Sequence, residues 1–246
     1  MDASKKLRKT PSVSGLLKSE PKIIHAGVFL DVPPRIFAEQ LTLMDMEIFT
    51  KIPYEEIIQQ PFCKENTPNV MAMIYRYNFE EAWTRREVFK EVDPKRIAKI
   101  IAHLIKVAGE LRDLNNCHAE MAVLSGLGDK AIQNLKNSWR HVPQKGKELF
   151  RRLSKITDPD YNYHNLKHSM KVSGSPAIPF LGAFHSLDGK FDNNFFGPRS
   201  NEKSSYAHLK EEFMIQLYLT PDYEMNYEAA NDLRELHLTI SKRLEP

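Results

Sequence analysis

The chain has 246 residues, 41% hydrophobic and 27% charged, a balance that excludes wholesale disorder, while 10 Gly and 15 Pro exclude a collagen-like or low-complexity bulk. The 35 Lys and Arg against 32 Asp and Glu leave +3. Up to Lys22 six basic residues stand against two acidic ones, so the remainder lies near −1, and a nucleic-acid binder with its excess on the folded body is excluded.

Two cysteines, Cys63 and Cys117, are too few for a disulfide framework or a four-thiolate zinc site, which predicts a reducing, cytoplasmic setting. No apolar run reaches the ~20 residues that cross a bilayer, and no apolar stretch follows the charged amino terminus. Residues 1–30 mix Lys, Ser and Pro without a sustained period and read as a flexible basic lead-in. Its charge is available for weak contact with an anionic membrane or simply stays solvated.

From Pro34 onward the pattern is helical. An irregular joint around 57–68 is followed by the clearest helix, Asp93 to Leu111. There Ile97, Ile100, Ile101, Leu104, Ile105, Ala108 and Leu111 form an apolar stripe, Asp93 is placed to cap and Pro94 suits the first turn. Ala119, Met121, Ala122 and Leu124 predict a short helix stopping at Gly126, and Asp129 caps a helix burying Ile132, Leu135 and Trp139. Leu149, Phe150, Leu153 and Ile156 predict another, ended by Thr157, Asp158 and Pro159. Irregular stretches follow at 173–179 and 186–204, then candidate core residues Phe213, Met214, Leu217, Leu219, Leu233, Leu236 and Ile240. Alternating runs are nearly absent, so the fold class is all-α.

Little here carries chemistry alone. His164 and His168 share a helix face at i, i+4, but Asn165 stands where a zinc hydrolase has its general-base Glu, so these read as surface histidines and no metal is expected. Ser125–Lys130 lacks the P-loop spacing, and its glycines read as the end of one helix and the joint to the next. No nucleophile elbow, protease Cys–His context or carboxylate pair appears. These residues describe a binding module with no covalent chemistry and no cofactor.

Four ordered strings add to this: QLTLMDMEIFTKIP at 40–53, PNVMAMIYRYNFEEAW at 68–83, LNNCHAEMAVLSGLGDKAIQNLKNSW at 114–139 and IPFLG at 178–182. Together they resemble the catalytic domain of Ras-family guanine-nucleotide exchange factors (RasGEF). Leu-Asn-Asn-x-His at 114–118, FAEQLTLMD at 37–45 and the closing Ser241–Pro246 resemble Ral exchange factors of the RalGPS type.

The resemblance implies a multi-helix bowl over residues 31–246 that clasps a Ras-family small GTPase (Ral preferred, Ras or Rap the alternatives) at switch II and levers switch I aside with a helical hairpin. It implies release of nucleotide without covalent chemistry; the location stays as the cysteines and the lead-in give it, cytoplasmic, with membrane recruitment through the basic residues as one alternative. Asn116 matches the second Asn of the family's pair, which supports the switch-contacting surface; the other reading is that Asn115 and Asn116 only cap the following helix. Tyr75 stands where the family often has a basic residue facing switch II, and Arg76 follows it. Trp83 reads as core, and Gln40, Leu41, Thr42 and Asp45 as scaffold. After Gly182 the family pattern lapses: Ala183–Gly189 replaces an aliphatic run, and 199–212 lacks the Lys-Arg-Arg of the hairpin's return. A RasGEF-like scaffold without exchange activity is the second reading.

Overall fold

The computed structural model describes residues 28–59, 65–173, 177–184 and 227–244, and no strand occurs among them. The helices are α1 (Val28–Asp31), α2 (Pro34–Phe49), α3 (Tyr54–Ile58), α4 (Pro68–Phe89), α5 (Pro94–Asp113), α6 (Cys117–Gly128), α7 (Lys130–Gln133), α8 (Lys136–His141), α9 (Gln144–Ile156), α10 (Asp160–Ser173) and α11 (Tyr227–Leu244), with a 3₁₀ turn at Leu181–Phe184. The all-α expectation is met. The expected hairpin and the core residues Phe213 to Leu219 lie outside the described residues.

Helix α5 forms as its sequence dictates. Asp93 accepts from the Arg96 N–H at 3.0 Å, Pro94 opens the first turn, and the predicted stripe is buried against α2 and α6. Helix α4 runs beside α6, with Trp83 stacked on Phe37 and edge-on to Phe29. That burial places α1 within the segment read as lead-in, since Phe29 is 3% exposed. Burying three such rings removes several hundred Å² of apolar surface from water and anchors the α1–α2–α4 corner.

Two boundaries differ from the sequence reading. The helix expected to stop at Gly126 continues to Gly128, because Gly126 is a packing residue: a Cβ there would lie 2.7 Å from Thr84 Cβ and 2.9 Å from the Glu81 carbonyl oxygen on α4. The helix expected from Asp129 through Trp139 is two, since Asp129 caps only α7 and the chain breaks at Asn134 and Leu135. The break buries Leu135 fully and lets the Trp139 indole N–H donate to the Ile132 carbonyl at 2.9 Å.

Candidate functional site: a buried polar knot beneath the α4 face

The Asn-Asn pair divides two tasks. Asn115 adopts φ 55°, the left-handed conformation that Asn tolerates better than most residues, and closes α5: its N–H donates to the Arg112 carbonyl at 3.0 Å and that of Asn116 to Leu111 at 2.9 Å. Asn116, fully buried, then begins α6, its Oδ1 accepting from the Ala119 N–H at 3.1 Å. The capping reading therefore holds for Asn116 but not for Asn115, which closes the preceding helix. The same side chain also donates from Nδ2 to Asp45 Oδ2 at 2.7 Å and to Thr42 Oγ1 at 3.3 Å on α2.

Asp45 is the hub. Its Oδ1 accepts from Arg76 Nε at 3.0 Å, so one carboxylate ties α2 to both α4 and α6. Arg76 is 5% exposed and lies 2.8 Å from Glu80, one turn further along α4. Gln40, Leu41, Thr42 and Asp45 are all buried, as the scaffold reading of that string expects. Segment 177–180 joins the knot through its backbone: Ile178 N–H donates to the Asn115 carbonyl at 3.0 Å and the Ile178 carbonyl accepts from the His118 N–H at 3.3 Å.

Tyr75 is half-buried on α4, while Met73, Ile74 and Tyr77 of the same helix line an apolar pocket of about 210 Å³ with His118, Phe180, Leu181 and Gly182. Phe180 packs against Tyr77 with centroids 5.1 Å apart, and folds back only because residue 182 is Gly, whose Cβ would sit 2.6 Å from the Phe180 ring. The start of α4 is fixed from α3, where the Glu56 carboxylate accepts from the Asn69 and Val70 N–H groups at 2.8 and 2.9 Å. Thr67, at the capping position, makes no side-chain cap bond.

Electrostatics follow from burial. His118 is held neutral, its pKa lowered to about 4, chiefly by desolvation. Burial raises Glu120 to about 7 against the opposing pull of Arg112, which meets both its oxygens at 3.0 and 2.7 Å. Cys117 is pushed up to about 12 by burial and is unreactive. Asp45, Glu80 and His118 lie within 4.8 Å of one another, but the Arg76 guanidinium already holds the cation's place beside both carboxyl groups.

Asn116 and Arg76 thus meet through Asp45, whereas Tyr75 is half-buried and makes none of these bonds. Arg76 is spent on internal ion pairs and does not supply the charge that Tyr75 lacks. Glu80 and Asp45 were not singled out as site residues by sequence, because nothing local marks a contact across 31 to 71 positions. His164 and His168 are exposed on one face of α10 with rings 6.5 Å apart, and no third ligand joins them among the described residues.

The near-neutral body also hides a local excess. Between α8 and α9 a groove of about 610 Å³ carries Lys136, Arg140, Lys147 and Arg151 around Trp139 and Phe150. Net-charge arithmetic averages such a cluster away.

A model of the RasGEF domain family matches residues 36–193. The chain is 34% identical over 191 residues to the Ras-specific guanine nucleotide-releasing factor RalGPS2 of Homo sapiens, covering 75% of this chain and 33% of that protein. It is 34% identical over 192 residues to RalGPS1 of Gallus gallus, covering 75% and 33%. Against Ras guanine nucleotide exchange factor M of Dictyostelium discoideum it is 29% identical over 168 residues, covering 66% and 18%. The chain spans about a third or less of the length of these relatives. With residues 36–193, most of its length, matched, the chain belongs to the RasGEF domain family.

Proposed function

We propose that this domain binds a Ras-family small GTPase, Ral in preference to Ras or Rap, and promotes release of GDP and loading of GTP. The observation that carries the proposal is the knot of Asn116, Asp45 and Arg76 next to the apolar pocket that His118 lines. An apolar concavity beside side chains tied together across three helices is suited to grip a partner's switch segment in one conformation. By linkage, a protein that binds the nucleotide-free GTPase more tightly weakens nucleotide binding by the same factor. The domain forms no covalent bond in this reading, and Asn116 and Arg76 act as supports while Tyr75 touches the GTPase.

The preference for Ral rests on the relatives named RalGPS1 and RalGPS2. The test is co-elution of the chain with Ral, Ras and Rap, each stripped of nucleotide. A stable complex with Ral that dissolves on adding GDP is the expected result, and retention of the complex in excess GDP would favour a scaffold. That second reading has one observation behind it: Arg76 is buried and paired, so the face has no cation at the family's basic position.

Association with anionic membrane through residues 1–22 is a separate proposal. Deleting them should leave exchange in solution unchanged and weaken binding to anionic vesicles at low salt. Equal vesicle binding by the truncated chain would refute it.

A further inference from the structure

Glu80 poses a problem of charge. It is 1% exposed, and neither carboxylate oxygen receives a hydrogen bond among the described residues. Arg76 Nε lies 2.8 Å away, but its single N–H is directed at Asp45 Oδ1, 3.0 Å distant. The groups facing Glu80 are Asp45 from α2, Arg76 from its own helix and His118 from α6. His118 is neutral, so one cation stands against two carboxyl groups in a space closed to water. Two carboxylates there would leave an unpaired buried charge, which a protein relieves by keeping a proton.

The proton's place follows from the donors. Asp45 already accepts from Asn116 and Arg76, which makes it the acceptor of the pair. Glu80 has the Arg76 charge 2.8 Å away but no N–H aimed at it. We infer that Glu80 stays protonated at neutral pH and donates its O–H to Asp45, making it a positioning residue for the carboxylate that holds Asn116. Burial and the Asp45 charge both drive the Glu80 pKa well above the ordinary carboxylate range, in agreement with this assignment. Neutral Glu80 gives Asp45 a third donor, so that one comes from the start of α6 and two from α4, and the cluster carries no net charge.

The protonation is independent of what the domain does; its positioning role rests on the exchange reading above. Because the folded-state pKa is raised, the wild-type chain binds this proton more tightly folded than unfolded. Its contribution to stability is complete below the unfolded carboxyl pKa and is lost as pH rises through the folded value.

The experiment compares thermal unfolding of wild type and Glu80→Gln between about pH 5 and 9, Gln being an uncharged donor of similar shape. We expect the variant's advantage in Tm to grow steadily with pH. A difference that stays flat with pH overturns the protonation. Should Glu80→Gln not fold, carbon-13 NMR of the Glu80 carboxyl in wild type decides: no titration between about pH 4 and 6 supports the assignment, and a normal carboxylate titration overturns it. For the positioning role, exchange should decline toward high pH in wild type but not in Glu80→Gln, with the two within about twofold at pH 7. Parallel pH profiles, with the stability difference still growing, overturn the positioning role alone. No exchange by either protein, with the stability difference intact, refutes the exchange reading and leaves the proton in place.

Discussion

Asn116 Nδ2 stands 2.7 Å from Asp45 Oδ2, a bond that closes a loop of 71 residues while the same Asn side chain caps α6 through its oxygen. No other residue type does both as compactly, since a short amide offers an acceptor and two donors from one rigid plane. Replacement with Ala leaves Asp45 a donor short and α6 uncapped.

Asn116→Ala is therefore expected to destabilise the chain by about 1–3 kcal/mol and to slow nucleotide exchange about tenfold or more. Exchange measured at a temperature well below both melting points separates the two effects. Undiminished exchange in the folded variant would show that the bond is a cap and a staple only. Asn116→Asp should be worse for stability, because it sets a second carboxylate against Asp45.

Tyr75→Arg places a cation at a half-buried position of α4. Arg76 cannot compensate from its buried pairs, so exchange is expected to rise several-fold, with a stability change within about 0.5 kcal/mol. Release kinetics of a labelled nucleotide from Ral provide the measurement. A fall in rate would mean that the GTPase needs the phenol ring at this position and not a cation.

Gly126→Ala should destabilise the domain although Ala is the better helix former. The added methyl meets the Thr84 side chain and the Glu81 carbonyl at under 3.0 Å, and the carbonyl belongs to α4's own backbone. A loss of about 1–3 kcal/mol by denaturant unfolding is expected. A gain would show that α4 and α6 separate easily.

His237 on α11 makes stability acid-sensitive. Burial and the Arg85 charge lower its pKa to about 4, with the ring stacked on Phe89 at 4.6 Å. The unfolded chain takes up this proton first as pH falls, so the contribution is complete above the ordinary value near 6.5 and is lost between there and about 4. His237→Phe keeps the stacking and should reduce the fall in Tm between about pH 7.5 and 5 by roughly 5 °C. His118 acts in the same sense and remains in the variant.

How far the sequence carries depends on the range of each interaction. Helix α5 is legible to its ends because cap, first-turn Pro and apolar stripe all act within a few positions. The role of Gly126 is not, because a Gly that ends a helix and one that admits a neighbouring helix read alike until the neighbour is in place. The break at Leu135 is hidden for a related reason: its stabilisation comes from burial and from the Trp139 bond to a distant turn. Asn116 is recognisable by its setting in the Leu-Asn-Asn string. Its partner Asp45 reads only as scaffold, and Glu80 as an unremarked polar residue, since their meaning lies in a three-helix encounter that no local pattern encodes.

The central claim is that this helical domain opens the nucleotide site of a Ras-family GTPase, and its most direct test is release of a fluorescent guanine nucleotide from Ral, Ras and Rap with and without the purified chain. Acceleration is predicted, greatest for Ral and diminished in Asn116→Ala. Release from all three at the spontaneous rate, with the chain folded and in excess, would contradict the account and leave a RasGEF-like scaffold in its place.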